Sequence, residues 1–312
     1  MDGRLQVFSG NGNRQLAHDI MNVLEAPLGR ALIGCWSDGE TRVKLDENVR
    51  GSDVFAIQTL SHPVNHHLME LLIMIDAIKR ASAARVTAVV PYFAYAKQEK
   101  KTAGREPISA SLVAQLLMTA GVDRIVTLDL HAPAIEGFFQ VPVDHLRATP
   151  MLATMFRRMG LTDLVAVSPD AGGVARAEDF RVRASASLAI ASKKRPSPEE
   201  AEVLEVVGDV EGKTAVIVDD MISSGSTMVR CAHKLVERGA CRVFAAAVHP
   251  ILSGDAAAMI ENSPIEKLYV TDTLELADEH RSERIEVLTV APLLAEAIMR
   301  IHKDLSISAL FN

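Results

Sequence analysis

The residues best suited to chemistry in this 312-residue chain are carboxylates placed where apolar runs stop. Val216–Val218 runs into Asp219 and Asp220, and the small polar residues Ser223, Ser224, Gly225, Ser226 and Thr227 follow. Small residues let backbone N–H groups turn inward around an anion. Ser226 and Thr227 are expected to cap the next helix and to lend hydroxyls to that anion. Asp219 and Asp220 are poorly placed to bind phosphate directly. They suit sugar hydroxyls, as acceptors, or a magnesium ion held through water. Together the segment describes a phosphorylated sugar. A solvent-facing strand-to-helix turn, with Asp for solubility and Ser for the cap, is the plainer alternative. No GxxxxGK[ST] sequence surrounds the segment, which disfavours a P-loop kinase.

Two more strand ends are acidic. Thr127–Phe139 carries Asp129 and His131, two apart and so on one face of an extended segment. Asp129 offers the oxygen a hard cation prefers. His131 could be a ligand or a polyphosphate contact, while a structural role is commoner for a lone strand-end histidine. Phe138 and Phe139 read as core. In Val167–Arg176, Pro169 and Gly172–Gly173 allow a tight start to a helix and leave Asp170 at the sheet rim. Three acidic strand ends favour a metal–polyphosphate cleft.

The cations cluster after strands. Lys193, Lys194 and Arg195 open a stretch with two prolines and three acids, Ser192–Val203. It reads as a solvent-exposed flap able to cover a transferring phosphoryl group, or as a charged surface hairpin. Pro91–Ser109 sets Lys97, Lys100, Lys101 and Arg105 beside Tyr92, Phe93 and Tyr95, a grouping able to hold an adenine. Trp36 stands with Asp38 and Glu40, two candidate acceptors for a purine amino group.

The elements that must position these residues alternate. Continuous apolar runs, among them Leu5–Ser9, Val86–Pro91, Leu164–Ser168 and Thr214–Asp219, are separated by helical stretches such as Asn65–Ala81, Ser109–Ala120 and Thr227–Gly239. That rhythm predicts an α/β protein with parallel sheets covered by helices on both faces. Length allows about two domains of ~150 residues, and Pro142 and Pro150 bracket the seam. A site in the cleft between two such sheets is the physical expectation.

Composition agrees with a packed globular chain: 48% apolar and 23% charged residues, with few aromatics at 4%. A net charge of −7 argues against non-specific nucleic-acid binding. Cys35, Cys231 and Cys241 form no CxxC pair, which suggests a reduced compartment. The N-terminal residues lack a signal-peptide core, and the apolar run Leu68–Ile78 is too short for a bilayer. The expectation is a cytoplasmic protein with no membrane partner.

With these segments in order, the chain resembles the ribose-phosphate diphosphokinases, or phosphoribosyl pyrophosphate synthetases. The resemblance rests on Phe8–Asn11 (FSGN), Asn65–Tyr92, Asp129–Asp144 (DLH…EGFF…P.D), Ser168–Gly173 (SPDAGG) and Val218–Met221 (VDDM). It implies two phosphoribosyltransferase-like α/β domains, 1–147 on the ATP side and 148–291 on the ribose 5-phosphate side. A C-terminal helix, 292–312, would return to the first. It implies magnesium, ATP as co-substrate and inorganic phosphate as activator. It further implies homo-oligomers built from dimers, hexamers included, whose ATP site a neighbouring subunit completes. By position, His131 and Asp170 match metal-associated residues, and Lys193 and Arg195 the catalytic pair. Asp219 and Asp220 match the ribose hydroxyl acceptors, and Ser223–Thr227 the 5-phosphate loop. Trp36, Asp38, Glu40, Lys97 and Gln98 match ATP contacts.

Departures from the family pattern are local. AKQE stands at Ala96–Glu99 where the family usually has ARQD, and lysine lacks the planar fork of arginine. The phosphate loop reads SSGST where DTGGT or similar is usual, and Trp36 stands where Phe is common. The competing readings are a regulatory homologue that binds a catalytic relative and a phosphoribosyltransferase.

Overall fold

Apolar strands alternate with amphipathic helices through the whole computed structural model, which describes residues 3–194 and 203–310. The chain divides into two units: Met1–Arg147, Thr273–Glu275 and Thr289–Asn312 form the first, Ala148–Asp272 and Leu276–Leu288 the second.

The first unit begins with β1 (Leu5–Ser9) and α1 (Arg14–Val23), then β2 (Ala31–Cys35) and β3 (Thr41–Leu45). It continues through β4 (Asp53–Ile57), α2 (Val64–Arg80), β5 (Arg85–Val90), α3 (Ser109–Ala120), β6 (Arg124–Leu128) and β7 (Val143–Leu146). Five of these strands form a sheet in the order β1-β4-β5-β6-β7, every neighbouring pair parallel. Such a sheet must bury both faces, and β4 (DVFAI) is buried at every position. β2 and β3 pair only with each other, as an antiparallel hairpin outside that sheet.

The second unit holds α4 (Thr149–Arg158), β8 (Leu164–Ser168), α5 (Val174–Ala184), β9 (Ser187–Lys194), β10 (Val203–Val207) and β11 (Thr214–Ile222). After them come α6 (Ser226–Glu237), β12 (Arg242–Pro250), α7 (Ala256–Glu261), β13 (Ile265–Thr271) and β14 (Ile285–Leu288). The seven-stranded order is β10-β9-β8-β11-β12-β13-β14, parallel except at β9–β10. Phe156 is fully buried and meets Phe180, Phe244 and Tyr269 edge-on at 5.6, 6.0 and 5.1 Å. These aromatic contacts fix α4 and α5 against the sheet.

Helix α8 (Ala291–His302) belongs to the first unit and packs beside α1. The two α/β units with helix-flanked parallel sheets are those expected from sequence. β2, β3, β7, β10 and β14, and helices α1 and α7, were not. No helix among the described residues is long and apolar enough to cross a membrane.

Candidate active site

In the second unit the acidic residues gather at the C-terminal ends of the neighbouring strands β8 and β11. The strand β11 runs to Ile222, so Asp219 and Asp220 lie within its last residues rather than at its end. Asp220 is buried, and the Asp219 side chain keeps 23% exposure. Arg176 of α5 reaches both: one guanidinium nitrogen lies 3.2 Å from Asp219 Oδ1 and 3.4 Å from Asp220 Oδ1. Burial first, and the charge of Asp220 second, push the Asp219 carboxyl up to about 8, while Arg176 pulls it down. The proton belongs to the pair, since two adjacent carboxyls titrate as one system. A pair sharing one proton can both donate to and accept from neighbouring sugar hydroxyls.

The loop after β11 leaves the start of α6 without a side-chain cap. Gly225, at φ +76°, takes the N-cap position of α6 and offers no side-chain hydrogen bond to the helix. This corrects the expectation that Ser226 and Thr227 would cap. They sit one position too late, inside the first turn, and Ser226 Oγ lies 3.0 Å from Ser224 Oγ instead. Ser223 Oγ lies 3.3 Å from Ser253 Oγ, and the Ser253 N–H donates to the Ser223 carbonyl at 3.1 Å. A helix of this length with no side-chain cap presents first-turn N–H groups and the positive end of its dipole to an incoming anion.

Asp170 follows β8 in an exposed turn. Its Oδ1 accepts from the Gly173 N–H at 3.0 Å, and the Ser168 hydroxyl donates to the Asp170 carbonyl at 2.6 Å. A Cβ on Gly173 would stand 2.8 Å from Ser168 Oγ, which explains the glycine at the start of α5. Lys193 lies in β9, its backbone opposite Leu204 of β10. Arg195 lies outside the described residues.

In the first unit, Asp129, expected as an oxygen donor for a hard cation, follows β6 with φ +35° and is buried. Its N–H is committed to the Leu146 carbonyl at 3.0 Å, which ties the turn back to β7. His131 is exposed two residues on. His145 of β7 holds this turn: its Nε2 accepts from the Leu130 N–H at 2.8 Å, so its Nδ1 carries the proton and donates to Glu136. Tyr92 and Phe93 are buried, Phe93 edge-on to Phe139 at 5.9 Å, so they are core and not base-stacking surfaces. Lys97 and Gln98 lie exposed after β5, with Gln98 Oε1 accepting from the Ser109 hydroxyl.

Trp36, Asp38 and Glu40 sit together at the tip of the β2–β3 hairpin. The Trp36 N–H donates to the Glu40 carbonyl at 2.8 Å, and Asp38 Oδ1 accepts from the Glu40 N–H at 3.1 Å. Trp36 is 51% exposed, with the Arg42 guanidinium 4.2 Å from its ring centre, so it does not serve as core packing.

Comparison with known proteins bears on this arrangement. Residues 5–121 match the N-terminal domain of ribose phosphate pyrophosphokinase, and residues 169–312 the phosphoribosyl synthetase-associated domain. The ribose-phosphate pyrophosphokinase of Halalkalibacterium halodurans is 50% identical over 311 residues, covering 100% of this chain and 98% of that protein. The chain belongs to the ribose-phosphate pyrophosphokinase family. The Bacillus subtilis pyrophosphokinase is 48% identical over 311 residues, with the same coverage. The crystal structure of phosphoribosylpyrophosphate synthetase from Mycobacterium smegmatis matches with a TM-score of 0.92 at 41% identity, over 96% of this chain and 99% of that one. Arg176 was missed in the sequence, although it closes the same segment as SPDAGG. An arginine six residues after a strand-end aspartate, in the first turn of the following helix, was its only signal.

Proposed function

We propose that this chain is a ribose-phosphate diphosphokinase, moving the β,γ-diphosphoryl group of ATP to the 1-hydroxyl of ribose 5-phosphate. The products are phosphoribosyl pyrophosphate and AMP. Full-length identity of 50% to a ribose-phosphate pyrophosphokinase carries the reading. In this proposal 1–147 with 292–312 is the ATP side and 148–291 the sugar side. The uncapped start of α6 with Ser223–Thr227 receives the 5-phosphate. Asp219 and Asp220, countered by Arg176, hold the 2- and 3-hydroxyls. Fixing the sugar at both ends makes the attack effectively intramolecular.

Magnesium fits sparsely. No group of three or more His, Cys, Asp or Glu among the described residues could hold a metal ion by itself. The exposed carboxylate of Asp170 is the donor type that suits magnesium, which keeps waters and takes substrate phosphates as ligands. His131 and Asp170 are the residues proposed to hold it. When bound it supplies neutralisation of polyphosphate charge. Lys193 and Arg195 are proposed to neutralise charge that grows on the transferring group. Trp36, Asp38, Glu40, Lys97 and Gln98 are proposed to bind ATP. Assembly as a dimer-based homo-oligomer, activation by phosphate and a cytoplasmic location are part of the same proposal.

The test mixes purified protein, ATP, magnesium, phosphate and ribose 5-phosphate and follows AMP. Release of AMP that depends on ribose 5-phosphate is expected. Its absence in the presence of all five components would leave a non-catalytic homologue. Light scattering of the same sample reads the assembly.

A further inference from the structure

The β2–β3 hairpin pairs with no other strand, and an isolated two-stranded hairpin is marginal in water. Something must hold its tip in place. Its base is tied by the Gly29 N–H to the Val7 carbonyl at 2.7 Å and by Glu47 to Arg30. Its far half is tied through a buried carboxylate, Glu70 of α2.

Glu70 has no solvent exposure, and no guanidinium or ammonium partners it among the described contacts. Four donors surround it instead. Oε2 accepts from the Asn11 N–H at 2.9 Å and from Gln58 Nε2 at 2.6 Å. Oε1 accepts from Asn11 Nδ2 at 2.6 Å, with His66 Nε2 at 3.5 Å. A buried carboxylate is tolerated only with its oxygens fully hydrogen-bonded, so these donors are held in place as firmly as they hold the charge.

Both donors on Oε1 continue to β2. Asn11 Nδ2 also donates to the Ile33 carbonyl at 3.2 Å, and His66 Nε2 lies 4.0 Å from Cys35 Sγ. Ile33 and Cys35 lie three residues and one residue before Trp36. We propose that Glu70 is a positioning residue for nucleotide binding: through Asn11 it moors the β2–β3 hairpin and thereby places Trp36, Asp38 and Glu40. This rests on the reading of those three residues as ATP contacts.

The chemistry of glutamine makes the test sharp. In Glu70→Gln the remaining oxygen can keep the two Oε2 bonds, but the new amide then points a donor at Asn11 Nδ2. Turning the Asn11 amide would relieve that clash only by setting its oxygen against the Ile33 carbonyl. The substitution therefore cuts the arm to the hairpin and spares the arm to Gln58.

Trp36 is the only tryptophan, so its fluorescence reports hairpin order without any assay of turnover. Glu70→Gln, Asn11→Ala and the double variant are compared with the unchanged full-length chain. The measurements are acrylamide quenching of Trp36, melting temperature, and the Michaelis constants for ATP and ribose 5-phosphate. Each single variant is expected to increase quenching. Each should also raise the ATP constant on the order of ten-fold, the weight of one hydrogen bond to a charged group. The ribose 5-phosphate constant should stay within about two-fold, and the double variant should be no worse than either single one.

Unchanged quenching and an unchanged ATP constant in Glu70→Gln would overturn the proposal. So would additive effects of the two substitutions, or a parallel rise of both Michaelis constants, which marks a general scaffold. If Glu70→Gln fails to fold, Asn11→Ala decides by the same two readouts. Increased quenching with an unchanged ATP constant would keep the mooring but overturn its nucleotide role. AMP release by the unchanged protein separately tells whether the diphosphokinase reading itself stands.

Discussion

At the scale of single residues, Asp219 combines a proposed role with an unusual setting. It is proposed to hold a sugar hydroxyl, and it sits in a buried position beside a second carboxylate. Its carboxyl is pushed from an ordinary value near 3.8 to about 8, by burial first and Asp220 second. In the unfolded chain it titrates normally, so the folded state binds an extra proton across that interval. The stability this confers is full below the ordinary carboxylate range and is lost as pH rises through about 8. The melting temperature of Asp219→Asn should therefore fall less between pH 5 and pH 8.5 than that of the unsubstituted chain. Parallel curves would mean that the pair is not coupled as described. Arg176 is the counter-charge on both carboxylates. Arg176→Gln should raise the Michaelis constant for ribose 5-phosphate by about ten-fold or more, the range for losing a partner of a charge-assisted pair. An unchanged sugar constant would confine Arg176 to a structural role. Lys193→Ala separates the other end of the reaction. Turnover should drop by about 100-fold or more with little change in sugar affinity, because its proposed contribution is to the transition state.

At the scale of elements, the long buried strands were legible and the short mixed ones were not. β8 and β11 carry runs such as LVAVS and TAVIV that no half-exposed strand would use, so their sites came with them. β2 and β3 are five-residue stretches of mixed polarity that only half bury, and β3 packs on α2, which begins well further along the chain. β7 and β14 are four residues each, so periodicity has too little length to declare them, while the start of α5 was signalled by Gly172–Gly173 and its extent was blurred by five charges in eleven residues. For α6 the start was readable and the cap was not. A serine or threonine there is an ordinary cap, but Gly225 took that position because the chain turns through φ +76°. Substitution of Gly225 by alanine tests that turn. The nearest atom to a new Cβ would be the Ala256 carbonyl oxygen at 3.6 Å, so the cost is conformational and not a clash. A loss of about 1–2 kcal/mol is expected from the left-handed backbone alone. If the turn relaxes, the first-turn N–H groups lose their common aim and calorimetry should show weaker ribose 5-phosphate binding. Full stability and full affinity in this variant would show that the loop does not need its present backbone.

At the scale of the whole molecule, the first unit is made from distant parts of the chain, because α8 returns to it after the second unit has been traced. An apolar helix near the terminus was legible in the sequence, but its return to the first unit came only from the family resemblance, since periodicity says how much surface a helix must bury and not where. The destination is written in charges instead. Arg85 at the start of β5 donates to both oxygens of Asp53, at 2.8 and 2.7 Å, and to the Ile301 carbonyl at 2.7 Å. His302 Nδ1 lies 2.9 Å from Asp53 Oδ2. The Asp53 carboxylate has no exposure, so it must keep a partner, and both partners bear on the end of α8. Removing Arg85 leaves a buried carboxylate with one imidazole, and breaking such a pair typically costs about 3–5 kcal/mol. Arg85→Ala should therefore loosen α8 and the neighbouring strands β4 and β5 together, because one cluster closes all three. Hydrogen exchange should speed up in peptides covering 53–57, 85–90 and 291–302, while peptides from β8 and β11 keep their protection. Loss of protection in α8 alone would make the cluster a local clasp on a unit that is already complete without it. Faster exchange spread equally through β8 and β11 would mean that the two units unfold as one, and that the helix is closing the entire molecule.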